Sequence, residues 1–155
     1  MLENFESTDI FAITVVVSSI VLLIYFAAKT LITSNLFQKG VNLYEQKDYQ
    51  GAEAAFRQVI SQNSTNDVVR LFLGDVLKQQ GKVKEATEYF EEVIRRSPKN
   101  PQGYLRLASV LMQQEQTETA KNNLEQAQAL LQKQRQPEQA KKIAQLLDKM
   151  SAKSS

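Results

Sequence analysis

The sequence contains no cysteine, no histidine and no tryptophan. Without thiol or imidazole there is no ligand set for a zinc site, no thiol redox chemistry and no nucleophile activated by a histidine base. Only carboxylate, hydroxyl or lysine chemistry remains open to catalysis. The lack of cysteine does not assign a redox compartment, because a reducing cytosol and a disulfide-free exported protein both permit it. Glycine is scarce, and Gly40, Gly51, Gly74, Gly81 and Gly103 lie too far apart to form a phosphate-cradling loop. Basic residues are missing altogether before Lys29, where the only ionisable side chains are Glu3, Glu6 and Asp9. The remainder holds all 19 Lys and Arg residues against 14 of the 17 acids, a mild excess with no arginine-rich block and no aromatic-basic interleaving. Nucleic-acid binding is therefore not expected.

What is present begins with an uncharged run, IFAITVVVSSIVLLIYFAA, from Ile10 to Ala28. At about 1.5 Å per residue it is long enough as a helix to cross a hydrocarbon core about 30 Å thick. Its β-branched residues would favour strand in water, but in lipid a helix satisfies the backbone internally. Tyr25 and Phe26 suit an interface. A cleaved signal peptide would lead with basic residues, and this segment leads with acids. A soluble core helix would need a broader polar face than Thr14, Ser18 and Ser19 supply. Lys29 and Lys39 follow the span and none precedes it, so the N-terminus is expected outside or in a lumen, with the remainder cytosolic or stromal.

Beyond the span the chain repeats itself. Gly40, Ala52, Phe56 and Val59 recur about 34 residues on as Gly74, Ala86, Phe90 and Val93, and again as Ala108, Ala120, Leu124 and Ala127. Small residues at these places let two helices approach closely. Leu43, Leu77 and Leu111 on the first helix, with Phe56, Phe90 and Leu124 on the second, fill the space beside them. Gly81 can end a helix. In Ser97-Pro98-Lys99-Asn100-Pro101 one helix stops and the next starts, with Asn100 as cap; Asn66 or Asp67 can cap the helix before.

The spacing resembles the tetratricopeptide repeat family. The central copy, LFLGDVLKQQGKVKEATEYFEEVIRRSP, carries Leu73-Gly74, Leu77, Gly81, Ala86, Phe90, Val93 and Pro98 where that family's pattern expects them. The resemblance weakens in the first copy, with Leu36 and Ser64 in place of an aromatic and a proline, and in the third, with Leu124 in place of an aromatic. It covers residues 33 to about 134 and implies an α-solenoid of about three helix hairpins and a capping helix, so that with the N-terminal transmembrane helix before it the fold expected is all-α. The expected organisation is an acidic tail at 1–9, the transmembrane helix and juxtamembrane segment at 10–32, and a repeat domain at 33–150. That domain divides into 33–66, 67–100, 101–134 and a cap at 137–150, with a disordered tail at 151–155. On the cap, Ala140, Ile143, Ala144, Leu147 and Met150 share one face.

In that family the first helices line a concave surface that binds proteins. The resemblance places Phe37, Val41, Tyr44, Val68, Leu71, Phe72, Asp75, Lys78, Leu105, Arg106, Ser109 and Met112 there. One subclass clamps chaperone tails through five polar or basic positions. Phe37, Val41, Phe72, Gln102 and Arg106 stand in those places, so four of the five are lost and such a clamp is not expected. The apolar stripe can equally pack within the solenoid, with Phe37 and Tyr44 shared between core and groove.

The layout is similar to that of the small anchored tetratricopeptide protein that assists photosystem I assembly in cyanobacteria and algal plastids. That likeness implies membrane-protein subunits, photosystem I among them, as partners in the thylakoid membrane. Organelle import receptors and bacterial envelope scaffolds share the plan, the latter with opposite charge bias. The bilayer is a further expected partner through residues 10–28. No cofactor, metal or small-molecule substrate is expected. An enzyme or regulatory subunit is the competing class, and its acidic groupings, Glu91-Glu92 and Asp75 with Glu85, are accounted for as solvated helix faces.

Overall fold

The computed structural model describes residues 7–62 and 65–153, and these form seven helices. The first, α1, spans Ser7–Glu45. It is followed by α2 (Tyr49–Gln62), α3 (Asp67–Gln79), α4 (Val83–Arg96), α5 (Pro101–Gln113), α6 (Thr117–Lys133) and α7 (Pro137–Lys153). No strand occurs among the described residues.

Where composition suggests two segments meeting at residue 33, the backbone shows one helix. Between Ile10 and Lys39 there is neither glycine nor proline, so nothing interrupts the hydrogen-bond ladder where the side chains change from apolar to polar. At 39 residues α1 is about 58 Å long. It is long and apolar enough to cross a membrane, and none of its most apolar stretch is buried inside the protein. Its hydroxyls return to the helix itself: Thr14 donates to the Ile10 carbonyl at 2.8 Å, Ser18 and Ser19 to that of Val15, and Thr30 to that of Phe26. A polar group satisfied in this way does not forbid an apolar environment. Asp9 lies in the first turn of α1, while Glu3 and Glu6 lie outside the described residues.

The last part of α1 pairs with α2, α3 with α4 and α5 with α6, and α7 packs on α6. Phe56, Phe90, Ala52, Ala86 and Ala120 are fully buried, with Leu124 almost so. The close approach inferred from the repeat is literal. A Cβ on Gly40 would lie 2.6 Å from Phe56 Cε1 and one on Gly74 would lie 2.3 Å from Phe90 Cε1. Only glycine fits against a ring at that distance; the third hairpin combines Ala108 with the smaller Leu124.

The turns are of two kinds. Asn66 caps α3 by accepting from the Val69 amide, and Asn100 caps α5 by accepting from the Gln102 amide, with Pro101 in the first turn. After α1, α3, α5 and α6 the chain reverses through a left-handed residue: Lys47, Gly81, Glu115 and Arg135. In each, the following amide returns to the last turn of the helix, as Lys82 N does to the Leu77 carbonyl at 2.9 Å.

At the C-terminal end α7 covers the last hairpin with Ala140 buried and Ile143, Ala144, Leu146, Leu147 and Met150 half-buried. It continues to Lys153, so Ser151, Ala152 and Lys153 are helical rather than a disordered tail. After Pro137 no residue breaks the helix, and the Ser151 hydroxyl donates to the Leu147 carbonyl. Residues 154 and 155 lie outside the described residues.

Candidate protein-binding groove

The backbones of α1, α3 and α5 approach one another directly, whereas among the described residues those of α2, α4 and α6 meet only through their hairpin partners. The first helices thus form the inner, crowded layer and the second helices the outer one. Phe37, Val41 and Tyr44 come from α1, Val68, Leu71, Asp75 and Lys78 from α3, and Leu105, Arg106 and Met112 from α5.

These residues do not have equal access. Leu71 is only 4% exposed and belongs to the core, because the helix turn that carries it faces the neighbouring hairpins. Phe37, Val41, Tyr44 and Leu105 are half-buried against the same core. Phe72 is the centre of an aromatic cluster: its ring centroid lies 5.5 Å from Phe37, 5.6 Å from Phe56 and 6.5 Å from Tyr44. Phe37 and Tyr44 therefore stiffen the junction of the first two hairpins while keeping one side in the groove. The freely exposed apolar members are Val68 at 52% and Met112 at 38%.

The charges of the groove are spoken for. Arg106 donates through Nε to Asp75 Oδ2 at 2.8 Å and through Nη1 to Gln102 Oε1 at 2.8 Å, joining α5 to α3. Lys78 Nζ lies 3.2 Å from Ser109 Oγ. Burial, and after it the Asp75 carboxylate, push the Tyr44 hydroxyl above the ordinary tyrosine pKa, so it stays neutral and can donate.

Two ionic networks stand outside the inner face. Arg70 is only 4% exposed; it donates to Glu92 Oε1 at 2.9 Å, and its Nη1 is 3.8 Å from Asp67. Arg96 bridges the same two carboxylates from the end of α4. Sequence reasoning missed this cluster. The available signal was register, because Arg70 stands midway between Leu36 and Tyr104, at a position that both neighbouring repeats fill with a large uncharged residue. On the outer face Arg57 bonds Glu53 at 2.9 Å, Glu85 and the Tyr89 hydroxyl, and the Glu85 bond, against burial, raises the arginine's already high pKa. Asp75 and Glu85 lie on different helices and pair with different arginines, so they form no acidic dyad.

The family model of the tetratricopeptide repeat matches residues 43–88 and 77–150, which together are more than half of the chain. This chain belongs to the tetratricopeptide repeat family. No curated protein is similar enough in sequence to stand as a relative. Among solved structures the repeat domain is similar to the Yersinia enterocolitica type III secretion translocator chaperone SycD. The TM-score is 0.73 at 22% identity, over 79% of this chain and 94% of that one. SycD in complex with a peptide of the translocator YopD gives 0.71 at 20% identity, over 79% and 94% of the two chains. The TPR2B domain of yeast Sti1, in complex with Hsp70, gives 0.71 at 18%, over 78% and 97%. At these identities the likeness is one of fold.

Proposed function

We propose that this tetratricopeptide protein is a non-enzymatic, membrane-anchored scaffold whose inner face holds protein partners beside the bilayer. The observation that carries the reading is the continuity of α1. A fully exposed apolar stretch runs without a break into the helix that supplies Phe37, Val41 and Tyr44 to the groove. Anchoring confines the groove to the plane of the membrane, so a shallow inner face with few free charges suffices for partners embedded in the same bilayer.

The complexes of SycD with a translocator peptide and of Sti1 with Hsp70 support a segment of a protein partner as the occupant. Val68, Met112 and the exposed sides of Phe37 and Tyr44 would take its apolar side chains, with Val41 and Leu105 beneath them. Asp75, Lys78 and Arg106 would meet its backbone at the rim. The partners are membrane-protein subunits. The layout of one span followed by about three repeats supports photosystem I, assembled in a cyanobacterial or plastid thylakoid membrane, as the client. The charge bias supports an outside or lumenal N-terminus with the repeats cytosolic or stromal.

Cross-linked pull-down of the full chain from solubilised native thylakoids tests the client, and protease added to sealed membranes tests the topology. Photosystem I subunits should dominate the cross-links, and the repeats should be digested from the stromal or cytosolic side. Cross-links confined to other complexes, or repeats cleaved only from the lumenal side, would overturn the client and the topology respectively.

A further inference from the structure

The geometry points to a second contact with the membrane: the row of turns that lies level with the bilayer end of α1 forms a cationic edge that docks on anionic lipid headgroups. This inference rests on the anchored reading above. Thr33 stands five residues beyond Ala28, about 7 Å along the helix, where a headgroup layer about 5–7 Å deep ends. At that height α2 returns, with Gln62 Oε1 3.3 Å from Thr33 Oγ1.

The same level then carries across the solenoid. Arg96 and Ser97 at the end of α4 bond Asp67 at the start of α3, at 2.9 and 2.5 Å. Gln134 Nε2 donates to the Lys99 carbonyl at 2.7 Å, which ties the turn after α6 to the turn after α4. In the 34-residue register α6 runs about one turn farther than α4, bringing its end toward the bilayer.

The two edges of the solenoid differ in charge. On the membrane side, Asp67 is taken up by Arg96, residues 95–100 add Arg95 and Lys99 with no acid, and residues 132–138 hold Lys133 and Arg135 against Glu138. On the far side, residues 113–118 hold Glu115 and Glu118 with no base, Glu45 and Asp48 outnumber Lys47, and Lys82 is bound to Glu53 at 2.7 Å, leaving Lys84. Lys29, Lys99, Lys133 and Arg135 are exposed and in no ion pair among the described residues. A helix C-terminus favours nearby cations, which accounts for Lys133 in the last turn of α6. Lys99 and Arg135 lie in the turns beyond, where within a Debye length of about 8–10 Å an anionic surface attracts them.

The chain has no cysteine, so single reporters are unambiguous. Full-length Gln132→Cys and Gln114→Cys, labelled with a donor dye, are placed in vesicles carrying an acceptor lipid. One set is pure phosphatidylcholine and the other contains about one third phosphatidylglycerol as the anionic surface. Energy transfer from position 132 should rise in the anionic vesicles and fall again in high salt, while position 114 changes little. Lys99→Glu, Lys133→Glu and Arg135→Glu together should abolish the lipid dependence; removing the three cations alone is worth about a hundredfold in the docked-to-undocked ratio. Circular dichroism checks that the variant is folded.

Flotation with phosphatidylcholine vesicles after an alkaline wash reads the anchor separately. A chain that fails to float overturns the anchored reading and this one with it. A chain that floats but shows the same transfer in both lipids, or in the folded triple variant, overturns the docking edge alone. A lower melting temperature in that variant without a change in transfer would assign the cations to the helix ends instead.

Discussion

The ring of Phe90 occupies the place that a side chain on Gly74 would take, with Cε1 at 2.3 Å and Cζ at 2.7 Å from an ideal Cβ. Phe90 is fully buried and cannot swing aside. Alanine favours a helix by about 1 kcal/mol over glycine, but overpacking costs about 1–3 kcal/mol, and a contact more than 1 Å too short places Gly74→Ala at the costly end. Thermal melting of the detergent-solubilised chain should show a loss of about 1–2 kcal/mol. Phe90→Leu in the same chain should recover part of it, because Ala108 with Leu124 already serves the third hairpin. Additive losses in that double-mutant cycle would mean that the two residues do not compete for the same space.

The left-handed turns give the opposite kind of prediction. Glu115 has φ 60° at the position equivalent to Gly81, where φ is 77°. A side chain in that region costs about 1 kcal/mol, so Glu115→Gly should raise the melting temperature and Gly81→Ala should lower it. A lower melting temperature for Glu115→Gly would show that its turn is held by other means.

Arg70 sets a test of buried charge. Glu92→Gln removes its nearer carboxylate and leaves Asp67 at 3.8 Å. Glu92 is about one-third exposed, so water screens part of the loss, and the cost should be about 1–2 kcal/mol rather than that of a fully buried pair. Arg70→Met with Glu92→Met should be milder than Glu92→Gln alone. If the double variant is the less stable of the two, the pair contributes net stability instead of merely cancelling its own desolvation.

In the groove, Val68→Glu and Met112→Glu alter exposed apolar surface without touching the core. Each should weaken capture of the native partner at least tenfold, about 1.4 kcal/mol, while melting is unchanged. Tyr44→Ala and Phe37→Ala should lower both capture and melting, because both rings rest on Phe72. Lys78→Ala with Arg106→Ala should matter less at high salt than at low salt. Full capture by the Val68 and Met112 variants, with loss in the charge variant, would remove the apolar groove from the argument.

Acid should weaken the outer face through Glu53. Burial alone would raise its pKa, but hydrogen bonds from Lys82 and Arg57 outweigh it, and the folded value lies below that of a free glutamate. The stabilisation is complete above the unfolded value and is lost as pH falls through the folded one. Melting temperature should therefore decline as the solution is taken below pH 4.5, and less steeply in Glu53→Gln. Parallel acid profiles for the two proteins would show that other carboxylates dominate.

The repeat period, the close helix contacts, the caps at Asn66 and Asn100 and the apolar span were determined by the sequence itself. Each depends on residues near in the chain or on a simple period: glycine and alanine 34 residues apart, an amide two or three residues from its capping side chain, nineteen uncharged residues in a row. Turn geometry was legible only where glycine marked it, at Gly81; Lys47, Glu115 and Arg135 adopt the same left-handed state because the flanking helices impose it. The unbroken α1 was obscured by composition, since a change from apolar to polar side chains does not interrupt a backbone ladder.

Tertiary structure alone decided which groove residues are available. Val68 and Leu71 are both apolar and lie one turn apart, yet one is exposed and the other is core, because Val68 stands in the first turn of α3 while Leu71 lies farther in, where helices of both neighbouring hairpins pack against α3. It also decided the electrostatics. Arg106 meets Asp75 from 31 residues away and Arg70 meets Glu92 from 22, pairings that come from the packing of hairpins and not from any local spacing. A charge counted along the chain becomes a free charge or a paired one only when the helices stack.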